Sequence, residues 1–406
     1  MQRRALGWLQ AAIGILLPIC WAAQVSAVPA HTNPENLDLQ VREAYEHYYN
    51  MDYAGAAERF DRYHRAHPGD PHPTALLLNA LVFQELYRQD TLDTTFYAND
   101  GFLTGRHATQ EDAHVRERIF ALADEAVSEA DWRINHNAND IDALFDRAWV
   151  RSLRCTYVAM VERAFGTGFR LANKAKDDAA RCLQLDPNYA DAKLITGVYQ
   201  YVVGALPLPF KFLIGFAGIT GSKTTGLAML SDAGQRGTIT SLEARTATAL
   251  FLRREGRYKD AIQVVRGMKS QYPHNFLICL EEANLRKDAG EGMVAVESYR
   301  ELLADAAKPG YFADARLELA DFGLGDSLRG QRHYQEAAAA YEHAASAATV
   351  SPELKIRSLL AAGECRDVQG ERPQAVRDYQ GAIAAGPGTS RADVARKHLR
   401  TPYRGN

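Results

Sequence analysis

The stretch GFAGITGSKTT, residues 215 to 225, combines glycines, a lysine and two threonines, the residue types of a phosphate-binding loop. Such a loop follows G-x-x-x-x-G-K-[ST], with the lysine directly after the last glycine so that backbone amides and ammonium cradle the phosphates together. Five residues separate Gly215 from Gly221, Ser222 stands before Lys223, and no strand pattern precedes them, so nucleotide binding is not expected. His64, His67 and His72 offer a second chemistry, because histidines one turn apart on a helix can share a metal ion. No carboxylate is placed to complete that set, and it sits at a helix end rich in Pro and Gly, so solvated histidines are the expectation. HExxH and GxSxG are absent, and the acidic pairs Asp177-Asp178 and Glu281-Glu282 are adjacent, which turns them in different directions on a helix. The sequence predicts no enzyme, no cofactor and no metal site.

Cysteine chemistry is sparse. Cys155, Cys182, Cys279 and Cys365 form no CxxC pair, which speaks against a structural zinc site or a thioredoxin motif. Cys155 and Cys182 fall near the outer ends of two helices expected to run antiparallel, and an oxidising compartment would permit a disulfide between them. Two buried free thiols are the competing reading.

The elements that carry these residues repeat. Tyr53, Ala56, Phe60 and Pro68 recur in spacing as Tyr258, Ala261, Val265 and Pro273, with partial copies at Tyr334, Ala337, Tyr341 and at Ala375, Tyr379, Pro387. Gly197, Ala249, Ala283, Gly325 and Gly363 take the small position of the preceding helix. This is the tetratricopeptide repeat (TPR) pattern: small residues let two antiparallel helices approach, an aromatic fills the gap, and proline ends the second helix. The predicted fold is all-α, a TPR-type helical-hairpin solenoid wound as a right-handed superhelix.

The predicted organisation begins with a signal peptide at 1–27, in which Arg3 and Arg4 precede an apolar run and the small-residue site Val25-Ser26-Ala27. TPR-like helices follow over 37–90, then an irregular insertion and helix over 91–139 and an expanded TPR pair with an apolar Pro/Gly-rich join over 140–241. Regular TPR units occupy 242–389 and a C-terminal tail 390–406. Within the insertion, Phe96, Tyr97 and Phe102 would be costly to leave in water, and the segment is expected to fold back onto the inner surface.

Solenoids bind through the concave face built from the first helix of each repeat. Alignment of the units places Arg253, Lys287 and Arg329 at one inner position, with Asn284 and Asp326 one turn earlier, a ladder suited to a peptide carboxylate or acidic segment. With 47 basic against 50 acidic residues and no clustered basic face, nucleic acid is not an expected partner.

Residues 197 to 230, GVYQYVVGALPLPFKFLIGFAGITGSKTTGLAML, resemble a segment of the tetratricopeptide repeat protein 39 / inclusion body clearance protein family. Gly197, Leu206-Pro207, the apolar run from Lys211 to Phe216, Gly218, Gly221 and Gly226-Leu227 carry the likeness, over about one tenth of the chain. The resemblance implies a shared helical core in which this segment is a fixed structural piece. The export signal departs from that family, so its intracellular and lipid-droplet roles are not carried over. Pro207 and Pro209 are expected to end one helix, Phe210 to Phe216 to form a short apolar helix, and Thr224 or Thr225 to cap the next. Two prolines and Lys211 interrupt a run far shorter than the roughly 20 residues a membrane span requires. Phe210, Phe212 and Phe216 remain candidates for contact with lipid or a partner.

Together these features predict an exported, periplasmic or cell-envelope, non-catalytic scaffold binding a protein or peptide on its concave surface. The alternative is a lipid or small-molecule binding protein that uses the apolar 205–219 segment.

Overall fold

The computed structural model describes residues 31–98, 112–206 and 220–405. These form seventeen α-helices, sixteen of which pair into eight successive antiparallel hairpins. The hairpins are α1 (Leu39–Tyr49) with α2 (Tyr53–Ala66), α3 (Pro71–Arg88) with α4 (Ala113–His136), α5 (Ile141–Met160) with α6 (Phe165–Leu185), and α7 (Ala192–Ala205) with α8 (Lys223–Arg236). Four regular ones follow: α9 (Ser241–Arg254) with α10 (Tyr258–Gln271), α11 (Phe276–Asp288) with α12 (Gly292–Ala306), α13 (Leu317–Gly330) with α14 (Tyr334–Ser346), and α15 (Pro352–Val368) with α16 (Arg372–Ala385). α17 (Ser390–Arg400) packs on α16 and closes the row. No strand occurs among the described residues.

Local chemistry sets these ends. Asp38, Asp52, Asp70, Asp112 and Asp140 each accept a hydrogen bond from an amide two or three residues on, capping α1 to α5 in turn. The turns inside the regular hairpins pass through a left-handed residue, Gly256 (φ 71°), Gly290 (φ 78°) and Gly370 (φ 80°), and in the third of them Arg332 takes that conformation (φ 64°).

Packing inside each hairpin follows the small-against-large register. A Cβ on Gly325 would lie 2.7 Å from the Tyr341 ring, and one on Gly363 would lie 2.6 Å from Tyr379. Each tyrosine is fully buried and fills the space that the missing side chain leaves. The array is thus tetratricopeptide-like in its contacts as well as its order.

The coil is tight enough for its first hairpins to meet its later ones. Asn275 donates through Nδ2 to the Tyr49 carbonyl (2.7 Å), and the Tyr49 and Tyr272 rings lie 5.0 Å apart. Further along, Arg316 Nη1 donates to the Tyr87 carbonyl (3.0 Å) and the Tyr87 hydroxyl to the Asp314 carbonyl (3.3 Å). The inner face of the solenoid is therefore enclosed by its own N-terminal helices.

The closed inner face and its cavity

All five residues of the predicted ladder lie on the inner helices of the regular hairpins, but their polar groups are engaged within the array, the cations between repeats. Arg253 on α9 pairs with Asp288 (Nε to Oδ2, 2.6 Å) and Glu281 (3.4 Å) on α11. Lys287 on α11 reaches Asp326 on α13 (3.2 Å), and Arg329 on α13 reaches Glu364 on α15 (2.7 Å). The neutral and acidic members hold tyrosines: the Tyr299 hydroxyl donates to Asn284 Oδ1 (2.5 Å) and that of Tyr341 to Asp326 Oδ1 (2.7 Å). Each cation thus staples its helix to the first helix of the next repeat, and the set is not an open row of donors. Glu281 and Glu282 do point apart, Glu281 inward to Arg253 and Glu282 outward to Arg266, Lys269 and Arg286.

Two segments of the chain itself cover the ladder. Residues 93–97, a short 3-10 turn after α3, lie across α9 and α11. Arg253 Nη1 donates to Thr94 Oγ1 (2.6 Å), which in turn donates to Glu281; Asn284 Nδ2 donates to Asp93 Oδ1 (3.3 Å); and Arg254 Nη1 donates to the Tyr97 carbonyl (2.7 Å). At the other end Tyr403 receives Arg329 Nη2 at its hydroxyl (3.2 Å), and its amide donates to Asp367 (2.8 Å). We refer to 93–97 as the strap. Phe102, the third aromatic of the predicted insertion, lies outside the described residues.

Beneath the strap is a cavity of about 260 Å³. Phe83 and Leu86 from α3, Leu242 and Leu250 from α9, Met268 from α10 and Leu277 from α11 give it mostly apolar walls. Tyr48, Tyr53 and Tyr97 add aromatic surface, and the charged lining among the described residues is acidic throughout: Asp93, Glu243 and Glu281. Asp93 and Glu281 are satisfied by the strap contacts. Glu243 is not: its Oε1 accepts from the Tyr48 hydroxyl (2.9 Å), while its buried Oε2 has no hydrogen-bond partner among the described residues. Loss of water around this carboxyl pushes its pKa up to about 7, and the nearby Asp191 adds to the rise. Glu243 escapes a reading of the sequence because an acid in the first turn of a helix is ordinary there, where it faces the positive end of the helix dipole.

The remaining sequence candidates are placed as follows. Cys155 and Cys182 are free thiols, the alternative to the disulfide that an oxidising compartment would permit. Cys155 lies against Gly168 and Ala172 of α6, whereas Cys182 is ten residues further along that helix, about 15 Å, too far for a bridge. His64 meets Thr74 and Glu125, and His67 caps the Tyr63 carbonyl, whereas His72 is fully buried between Asp146 and Asn36 (2.7 Å each), so that histidine is not solvated. No group of three or more His, Cys, Asp or Glu among the described residues is arranged to hold a metal. Ser222, rather than Thr224 or Thr225, caps α8, and Lys223 pairs with Glu255 (2.9 Å). Phe210, Phe212, Phe216 and the predicted 1–27 leader lie outside the described residues. No described helix is long and apolar enough to cross a membrane.

No protein-family model matches the chain, and no curated protein does. Among solved structures, the Cut9–Hcn1 hetero-tetramer of APC/C matches 91% of this chain at 10% identity and TM-score 0.51, over 57% of its own longer chain. A tetratricopeptide repeat protein from Parabacteroides merdae matches 81% of this chain and 99% of its own at 14% identity, with TM-score 0.36. The human IFIT1 dimer with m7Gppp-AAAA matches 92% and 84% at 10% identity, with TM-score 0.44. At these identities the first likeness bears on the fold alone, which it shares with this helical array.

Proposed function

We propose that the protein is a non-catalytic, exported repeat scaffold of the periplasm or cell envelope, which captures a protein or peptide partner on its inner face by exchange with its own strap. The observation that carries this reading is the strap itself. Asp93 and Thr94 form a short polar peptide seated on Arg253, Glu281 and Asn284, in the inner position where repeat solenoids hold their ligands. A partner segment with an acid followed by a hydroxyl residue can make the same contacts once the strap lifts, and in exchange it loses little, since those hydrogen bonds are remade.

Affinity capture from the native envelope, with the leader present during expression, tests this. A chain carrying Asp93→Ala and Thr94→Ala is expected to recover more of a specific protein than the unmodified chain. Equal recovery removes the exchange, and no specific recovery by either chain removes the scaffold reading.

A second reading, binding of a small apolar molecule, is favoured by the cavity under the strap. It moves the candidate site from the 205–219 segment to the walls of α3, α9 and α11.

A further inference from the structure

The cavity combines three properties that together specify a ligand. Its volume, about 260 Å³, is less than twice that of the engineered apolar cavity of about 150 Å³ that takes up benzene, which suits a molecule of about a dozen heavy atoms. Its walls are aliphatic and aromatic, so the body of that molecule must be apolar. Among the described residues its lining acids leave one oxygen without a hydrogen-bond partner, Glu243 Oε2, beside Tyr48, whose ring lies 5.2 Å from that of Tyr53. A carboxylate oxygen that lacks a donor suits an ammonium, because the hydrogen bond it then accepts is charge-assisted.

The groups facing Glu243 sharpen the sign. Asp191 lies near it from the start of α7 and Tyr45, Tyr48 and Tyr49 from α1; none carries positive charge. Arg245, two residues along α9, acts on Glu243 through space and favours its ionised form, while its guanidinium donates to Gln271 (3.0 Å) and the Ser241 carbonyl, so it makes no hydrogen bond to Oε2. The bases of the inner ladder are engaged elsewhere, Arg253 by Glu281 and Asp288. An anionic ligand would face the acids Glu243 and Asp191, whereas an ammonium would supply the missing donor and favour the ionised form of Glu243.

We propose that this cavity binds a small hydrophobic amine, with its ammonium donating to Glu243 Oε2 and its apolar body filling the space between α3, α9 and α11. The proposal rests on the small-molecule reading and names its chemistry. It asks nothing of a protein partner, and the strap stays closed over the bound molecule. The ligand's ammonium also relieves a fault in the protein, the buried carboxyl oxygen left without a hydrogen bond.

Isothermal titration calorimetry with phenylbutylamine, phenylbutanol and phenylbutyrate, three probes of one shape and different head groups, decides the matter. The amine is expected to bind at least about tenfold more tightly than the alcohol, and the acid not to bind. Glu243→Gln, which keeps the shape of the side chain, should cost the amine about tenfold and leave the alcohol within about twofold. Ala247→Phe, which projects into the cavity from α9, should abolish binding of both. If the alcohol binds as well as the amine, the amine proposal fails and the small-molecule reading survives; if no probe binds the unmodified chain, both fail. An acid that binds as tightly as the amine, or a Glu243→Gln chain with unchanged amine affinity, also overturns the proposal. The head-group comparison on the unmodified chain stands even if a variant does not fold.

Discussion

Glu243 ties the stability of the protein to pH in a direction opposite to that of a salt-bridged acid. Its carboxyl titrates near 7 in the folded chain against an ordinary value of 4.5, so between these the folded state holds a proton that the unfolded state has released. Its contribution is fully present below pH 4.5 and is lost as pH rises through about 7, a swing of roughly 3 kcal/mol. Glu243→Gln removes the swing. The variant is expected to match the unmodified chain near pH 4.5 and to exceed it by roughly 2–3 kcal/mol above pH 7, as read by urea unfolding across pH. A variant less stable at high pH would contradict this. Arg253 behaves in the opposite sense, because its partners Glu281 and Asp288 come from the next repeat: Arg253→Ala leaves Glu281 buried without its cation and is expected to cost about 3–5 kcal/mol in the same assay. The ladder's positions were legible from the repeat spacing. Its role was not, since pattern alignment shows which residues share a face but not which acids lie opposite them, and Tyr48 and Glu243 stand 195 positions apart in the chain.

At the scale of elements, the described glycines at the crossing of α7 and α8 have a physical reason. α7 and α8 cross so closely that a Cβ on Gly226 would lie 2.7 Å from the Gly197 carbonyl oxygen and from the Tyr201 amide, and one on Gly221 would lie 2.6 Å from the Gln200 carbonyl. Backbone meets backbone there, with no flexible side chain to yield. Gly226→Ala is therefore expected to destabilise the protein by about 1–3 kcal/mol, the cost of overpacking. Gly267→Ala is the control: on α10 a Cβ at that position meets nothing within 4 Å, so the same change should stabilise by about 0.5–1 kcal/mol. Equal effects at the two sites would refute the account. Turn chemistry yields a complementary prediction at Arg332, which holds φ 64° where the neighbouring hairpins use glycine. Arg332→Gly should raise stability by about 1 kcal/mol in thermal or urea unfolding, since it relieves the left-handed strain at an exposed site. The small-against-large register that sets these hairpins was readable because it is local, one aromatic meeting one gap sixteen residues before it. Ser222 as the cap of α8 was missed although serine is the better cap former, because Thr224 and Thr225 also cap helices and the geometry of the turn decides where the helix begins.

At the scale of the whole molecule, closure changes how such an array should unfold. An open solenoid is a chain of nearest-neighbour contacts, and its ends can melt independently. Here α1 touches the α10–α11 turn and the end of α3 touches the entry to α13, so the two halves share contacts that no local periodicity records. Arg316 is central to that closure. It pairs with Asp90 (2.8 Å) and Glu318 (2.6 Å) and donates to the carbonyls of Tyr87 (3.0 Å) and Thr349 (2.8 Å), joining the end of α3 to α13 and to the turn before α15. Outside the predicted leader the tryptophans are Trp132 and Trp149, both in the N-terminal half, so their fluorescence follows that half while circular dichroism follows every helix. The closed array is expected to give coincident urea transitions by the two signals in the leaderless chain, the mark of a single cooperative unit. Arg316→Ala should lower the midpoint and split them, because removing the arginine strands Asp90 and Glu318 at the contact between the halves and leaves each half to its own neighbours. Separate transitions in the unmodified chain would mean that the contacts between the halves do not couple them, and the cavity would then lack the rigid walls that a selective ligand site requires.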